Sequence, residues 1–294
     1  MSAAERFVAQ GSAVGAVGAS SRRRALRRVV ASVPGAAGLA VTVLVVAVGA
    51  AAPLLAPNDP FAIDGPPLHE PTWKYPMGTD ALGRDVLSGV LHGTRTSLVV
   101  ALSVSVMVLV VGAGVGLVSG YRGGWVDDVL MRATETIQVL PRFFLALVVV
   151  ALLGPGLDRI VLVLGLTSWP LMARVVRAEV LSLRTSEFVE AARALGSSST
   201  RIVLREILPN TVGSASALVG LLAAQVIVIE AGLSFLGLGD PNLISWGAMA
   251  SDGQQYLRTA WWLPLFPGGA ILLAVLGLNL LGDAVTDAVS GRRR

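Results

Sequence analysis

Cysteine is absent from this chain of 294 residues, histidine occurs twice, and charged residues make up only 14%. Without cysteine there is no disulfide framework, no thiol nucleophile and no zinc finger. With His69 and His92 as the only imidazoles, a transition-metal site built from protein ligands is not expected. H-E-x-x-H, the G-x-S-x-G elbow and the G-x-x-x-x-G-K-[ST] phosphate loop are all missing, so the chain offers no hydrolytic centre and no P-loop for ATP. The shortage of charge excludes more. A soluble domain carries about 25% charged residues to cover its surface. Here residues AVILMFWYC make up 54%, with 33 glycines besides, which excludes both an ordinary soluble globule and a disordered chain. Such a chain belongs in a membrane.

Six apolar runs are long enough to cross about 30 Å of hydrocarbon as helices. They lie near Val29–Ala52, Ser97–Val118, Ile137–Gly154, Ile160–Val176, Gly213–Gly232 and Leu263–Leu281. The runs are continuous rather than alternating, which predicts an all-α polytopic bundle and not a transmembrane barrel. Lys and Arg set the direction, because cytoplasmic loops keep positive charge. With both ends inside, 17 of the 23 Lys and Arg fall on the cytoplasmic side, and the net charge of +4 needs no nucleic acid to explain it. Ser21-Arg22-Arg23-Arg24 ahead of the first run resembles a twin-arginine signal, but five further spans need that helix to keep their parity, so it is expected to stay uncleaved. The expected organisation is a basic cytoplasmic tail (1–28), a first helix (29–52), an external segment (53–96), a five-helix core (97–283) with a cytoplasmic loop at 179–212, and a cytoplasmic tail (284–294).

That loop is the most informative stretch. Phe188, Ala191, Ala192 and Leu195 fall at i, i+3, i+4 and i+7, one apolar face of a short helix, with Glu187, Glu190 and Arg193 on the other. Ser186 can cap its start and Gly196 can stop it in a left-handed conformation. A second short helix is expected from about Thr200, broken at Pro209. The spacing allows two readings: the small apolar face docks in another protein's groove, or it packs on the chain's own helix ends.

Glu190-Ala191-Ala192, Gly196 and Leu208-Pro209 resemble the E-A-A-x-x-x-G…L-P loop of ATP-binding-cassette importer permeases, with Glu206 where that pattern has an Ile. Several further stretches, in order, resemble the dipeptide, oligopeptide and nickel branch: Gly78-Thr79-Asp80-Ala81-Leu82-Gly83-Arg84-Asp85-Val86, Gly120-Tyr121-Arg122-Gly123-Gly124-Trp125-Val126-Asp127, Leu233–Gly239, Ser245-Trp246-Gly247 and Asn279–Asp283. The resemblance implies a permease of the bacterial plasma membrane. Its loop would be a coupling helix, with Glu187, Phe188, Glu190, Ala191, Ala192, Leu195 and Gly196 meeting the ATPase. It implies as partners a homologous second permease, two ATP-binding-cassette subunits and an external substrate-binding protein. ATP and Mg would be used by those subunits, with no cofactor bound here. Peptides are the implied cargo. Nickel or another small solute remains open, as does, from outside the branch, an autonomous secondary transporter. A membrane enzyme is disfavoured by the empty catalytic inventory.

Individual residues carry further expectations. Asp80 and Arg84, beside Asp85 in the external segment, are spaced to pair along a helix turn. Gly112, Gly116 and Gly120 repeat every fourth residue, as close helix packing requires. Arg142 follows Pro141 near the cytoplasmic end of the third span and is expected to snorkel. Glu230 and Asp283 are expected to reach interface water, which leaves Gln225 as the mid-membrane candidate for the translocation path.

Overall fold

The computed structural model describes residues 27–290, with side chains through Ala288. The expected N-terminal tail, apart from Arg27 and Arg28, and Arg292–Arg294 lie outside the described residues. After a helical turn over 27–31, the long elements are α1 (Val33–Leu55), α2 (Val86–Arg122), the pair α3 (Gly124–Val139) and α4 (Arg142–Leu153), and α5 (Leu157–Leu183). The short helices α6 (Glu187–Ala194) and α7 (Ser199–Ile202) lead through a π-helical turn (Val203–Ile207) into α8 (Leu208–Phe235), followed by α9 (Trp246–Gln254) and α10 (Trp262–Ser290). Five helices are long and apolar enough to cross a membrane, and the bent pair α3–α4 makes a sixth crossing if counted as one.

Each correction to the expected spans has a local cause. The second span begins eleven residues before Ser97, because the Asp85 carboxylate caps the amides of Leu87 and Ser88 and starts α2 there. At 37 residues and about 1.5 Å per residue, α2 is about 55 Å long, so much of it stands clear of the hydrocarbon. The third span is not one helix. Proline cannot continue a helix from the preceding turn, and the chain turns by 75° between Val139 and Arg142 around Pro141. Pro209, by contrast, breaks nothing. It sits at the start of α8, and the amide of Leu208 bonds back to Val203 across the widened π turn, so helix runs on from Ser199 to Phe235.

α5 is the centre of the bundle. The glycine repeat of α2 lies against it: a Cβ at Gly112 would meet Met172, at Gly116 the Ala173 carbonyl and Val176, and at Gly120 Val180. The repeat thus serves packing within the chain. The principal core joins Val100, Val104 and Val108 of α2, Leu164, Met172, Val176 and Val180 of α5, and Leu222, Val226 and Leu233 of α8. At the Thr79 end of α2 a smaller core of Val86, Val90, Trp262 and Leu263 fixes the segment that precedes α2.

Candidate functional site

Three residues after α5, the chain forms α6 on the surface. Its sequence is short and polar, so its position depends on one anchor: Val189 is fully buried in the principal core, with Ala192 half-buried beside it. The inward face is therefore Val189 and Ala192, not the predicted four-residue stripe. Phe188, Ala191 and Leu195 point away from the bundle and are exposed, Leu195 to 76%, together with Glu187 and Glu190. The physical reason is the principal core, in which Val189 finds its neighbours; Ser186 is extended, and its hydroxyl donates to the Leu183 carbonyl rather than capping α6. Gly196 ends the helix as expected, at φ +76°, with the Ser197 amide closing back on the Ala192 carbonyl. Nothing stands within 4 Å of a Cβ at Gly196, so the left-handed backbone is what favours glycine there. Ile202 and Ile207 bury their side chains in the same core, so the whole segment from α6 to α8 rides on α5 and α8.

Beside α6 lies a polar cluster with no counterpart in the sequence reading beyond the motif that ends in Asp127. Arg177 of α5 gives Nε to Asp127 Oδ1 and Nη2 to Oδ2, each at 2.6 Å. The Ser119 hydroxyl at the end of α2 also donates to Asp127 Oδ1, and Arg184 Nη1 donates to the Gly120 carbonyl at 3.1 Å. Near the same end, the Ser214 hydroxyl of α8 donates to Glu179 of α5. In a chain with so few charges, an Asp on the first turn of a helix and an Arg within an apolar run were the available signals.

At the opposite end, Asp80, Arg84 and Asp85 do not form a helix turn. Thr79 and Asp85 pair as an isolated antiparallel bridge, and Asp80 Oδ1 accepts from the amides of Leu82 and Arg84, both at 2.8 Å. The carboxylate is satisfied by backbone, which removes the motive for an Asp80–Arg84 ion pair. Trp262 Nε1 donates to the Thr79 carbonyl at 3.2 Å and locks this cap onto α10. The Arg84 guanidinium lies 5.7 Å from the centre of the Phe61 ring. Both line a cavity of about 470 Å³ shared with Asp80, Met249, Asp252 and Tyr256. Partial desolvation there, together with the nearby Asp80, raises the Asp252 carboxyl above its ordinary range against the pull of Arg84.

Gln225 is exposed on α8, in one stripe with Leu221 and Val228. Glu230 does not reach interface water. It is 1% exposed, and it accepts from Ser97 of α2 at 3.1 Å and from Ser234 at 2.8 Å, so hydroxyls replace the water it gives up. Asp283 is exposed and Arg142 half-buried at the start of α4. Among the described residues no group of three or more His, Asp or Glu is arranged to hold a metal ion.

Residues 112–294 match the family described as binding-protein-dependent transport system inner membrane component. A dipeptide transport system permease protein of Alkalihalophilus pseudofirmus is 36% identical over 228 residues, 77% of this chain and 75% of its own. The oligopeptide transport system permease protein of Bacillus subtilis is 35% identical over 259 residues, 87% of this chain and 85% of its own. A candidate peptide permease of Brucella suis is 40% identical over 244 residues, 82% of this chain and 81% of its own. Among solved structures, a chain of the MetNI methionine ABC transporter in an inward-facing conformation shares the fold. Its TM-score is 0.55 at 18% identity, over 68% of this chain and 96% of that one.

Proposed function

This chain belongs to the family of binding-protein-dependent transport system inner membrane components, and from that premise we propose that it is the permease subunit of an ATP-driven importer that moves peptides inward. It is a multi-pass membrane protein and not itself an ATPase. In this reading it lies in the bacterial plasma membrane with both ends cytoplasmic and forms half of the path, a homologous permease forming the other half. Two ATP-binding-cassette subunits hydrolyse ATP with Mg, an external binding protein delivers the peptide, and this chain binds no cofactor of its own.

The observation that carries the reading is the construction of α6. A solitary helix of eight residues is unstable in water. Here it is pinned by fully buried Val189 and still presents Phe188, Ala191 and Leu195 outward, beside Glu187 and Glu190. That is an apolar strip with a charged border, suited to a groove in a partner. We assign Glu187, Phe188, Glu190, Ala191 and Leu195 to that contact, with Ala192 and Gly196 shaping the helix. The Asp80, Arg84 and Asp85 segment builds the external cap, and Gln225, on an exposed stripe of α8, is assigned to the path.

The test is reconstitution of the complete importer in proteoliposomes, with ATP hydrolysis and uptake of labelled dipeptide and oligopeptide measured together. Peptide uptake that needs both ATP and the binding protein is expected, as is its loss in Glu190→Lys while the chain still inserts. ATP-driven uptake of nickel but not of peptide would overturn the cargo assignment. Hydrolysis by the isolated chain would overturn the division of labour.

A further inference from the structure

α3 lies against α2 and α5 but buries little of itself. Of its sixteen residues only Thr134 is buried, and Trp125, Val129 and Val139 are exposed to 76%, 56% and 79%. Its charged anchor is the Asp127 carboxylate in its first turn. Both oxygens are taken by the Arg177 fork, and the Ser119 hydroxyl shares one of them. The Asp127 and Arg177 side chains of this ion pair are 13% and 31% exposed. A bidentate guanidinium–carboxylate pair fixes direction as well as distance, unlike a single contact between point charges.

The two ends of this pair lead to different moving parts. Arg177 lies on α5, which the glycine seam and the Arg184 bond to the Gly120 carbonyl hold to α2. Seven residues after Arg177 comes Arg184, the C-cap of α5, and α6 starts three residues later, with Val189 buried in a core that contains Val176 and Val180. α6 thus follows α5 directly along the chain and seats Val189 in the core to which α5 contributes. Asp127 lies on α3, which runs to the 75° bend at Pro141 and on into α4. α4 packs chiefly on α5, with Ala146 and Val150 buried in the principal core, and also reaches α8, where Phe143 lies within 3.2 Å of the Cβ position of Gly232.

Resting on the reading of α6 as the coupling helix, we propose that the Asp127–Arg177 clasp is the coupling pivot of this subunit. It makes α3 follow α5 and the coupling helix that α5 leads into, so that a displacement imposed on α6 by the ATPase is carried into α3 as well as into α4, which packs on α5 directly. Asp127 and Arg177 are positioning residues: they touch neither ATP nor peptide. Ser119 orients the Asp127 oxygen that Arg177 Nε shares, and Arg184 keeps the end of α5 against α2.

The test uses the complete importer in proteoliposomes with Asp127→Asn and with Arg177→Lys, which keeps the charge but loses the fork. ATPase capture and ATP hydrolysis are expected to stay within about twofold of the parent, and peptide moved per ATP to fall about tenfold, the scale of an ordinary coupling free energy. The exchange of the two charges, Asp127→Arg with Arg177→Asp, is expected to recover part of that ratio. A direct readout separates a pivot from a mere fastener. The chain has no cysteine, so spin labels at Val129→Cys on α3 and Ser182→Cys on α5 are its only thiols. Their separation should stay constant between nucleotide-free and ATP-trapped states in the parent and change between those states in Asp127→Asn. Unchanged peptide per ATP in both single variants would overturn the pivot while leaving the importer reading intact. So would joint loss of expression, ATPase capture and hydrolysis, or a label separation that ignores the mutation. Failure of the parent importer to move peptide would instead strike the reading beneath it.

Discussion

Each residue of Ser245-Trp246-Gly247 has a separate physical duty. The Ser245 hydroxyl caps α9 by accepting from the Ala248 amide at 3.3 Å, and Trp246, 1% exposed, donates from its indole to the Val90 carbonyl at 3.0 Å. Gly247 lies against the backbone of α8, where a Cβ would run into the Ala231 carbonyl. Gly247→Ala is therefore expected to lower stability by about 1–3 kcal/mol, since backbone cannot yield as a flexible side chain can. Thermal unfolding of the detergent-purified protein checks it, and an unchanged midpoint would mean that α9 shifts freely. Asp252 gives a prediction in pH. A carboxyl whose pKa is raised by folding binds more protons folded than unfolded, so it weakens the fold as pH rises through its titration. Asp252→Asn should then stabilise the protein at pH 7, by no more than about 0.5 kcal/mol for a solvent-accessible group. The gain should fade below about pH 3, under the ordinary aspartate pKa of about 3.9, where the parent side chain is protonated folded and unfolded alike. Unfolding curves at both pH values decide it, and a gain that persists in acid would contradict the assignment.

At the scale of the element, α6 is a helix with two unlike faces, and substitutions on each should fail differently. Val189 is wholly buried in the principal core, so Val189→Ala should cost about 1–3 kcal/mol of stability and lower expression. Leu195 is 76% exposed, so Leu195→Ala should leave stability within about 0.5 kcal/mol while weakening capture of the ATPase subunits. Co-purification alongside thermal unfolding separates the two. Equal losses of stability would return α6 to the role of a packing element. The bend between α3 and α4 belongs to this scale as well. α4 has twelve residues and is about 18 Å long, too short to cross about 30 Å of hydrocarbon unaided, so the crossing needs part of α3.

For the whole molecule, the bent pair decides parity. Counted as one crossing it gives six, which returns the chain to the side on which it began. Reporter fusions after Gly156 and Gly253 are expected to read external and a fusion after Ser198 internal, following the distribution of Lys and Arg. An external signal at Ser198 would invert the arrangement and put α6 out of reach of any cytoplasmic ATPase.

Much of this protein could be read without coordinates. Membrane insertion depends on local sums, and a run of about twenty apolar residues declares itself wherever it lies. The same holds for the charge asymmetry of the loops and for the left-handed stop at Gly196, which needs only the residue type and its place after a periodic segment. The start of α2 at Asp85 has a local cause in the carboxylate cap, but the apolar run begins later than the helix, so apolarity alone places the start too late. Tertiary structure decided what depends on partners distant in sequence. Asp127 and Arg177 stand 50 residues apart and Glu230 and Ser97 133 apart, so neither pairing leaves a local pattern. The inward face of α6 was set the same way. Helical periodicity groups Phe188 with Ala191, Ala192 and Leu195, but only the seating of α6 in the principal core, beside α7 and the π turn, buries Val189 and leaves Leu195 free, because burial is a property of the neighbours and not of the segment.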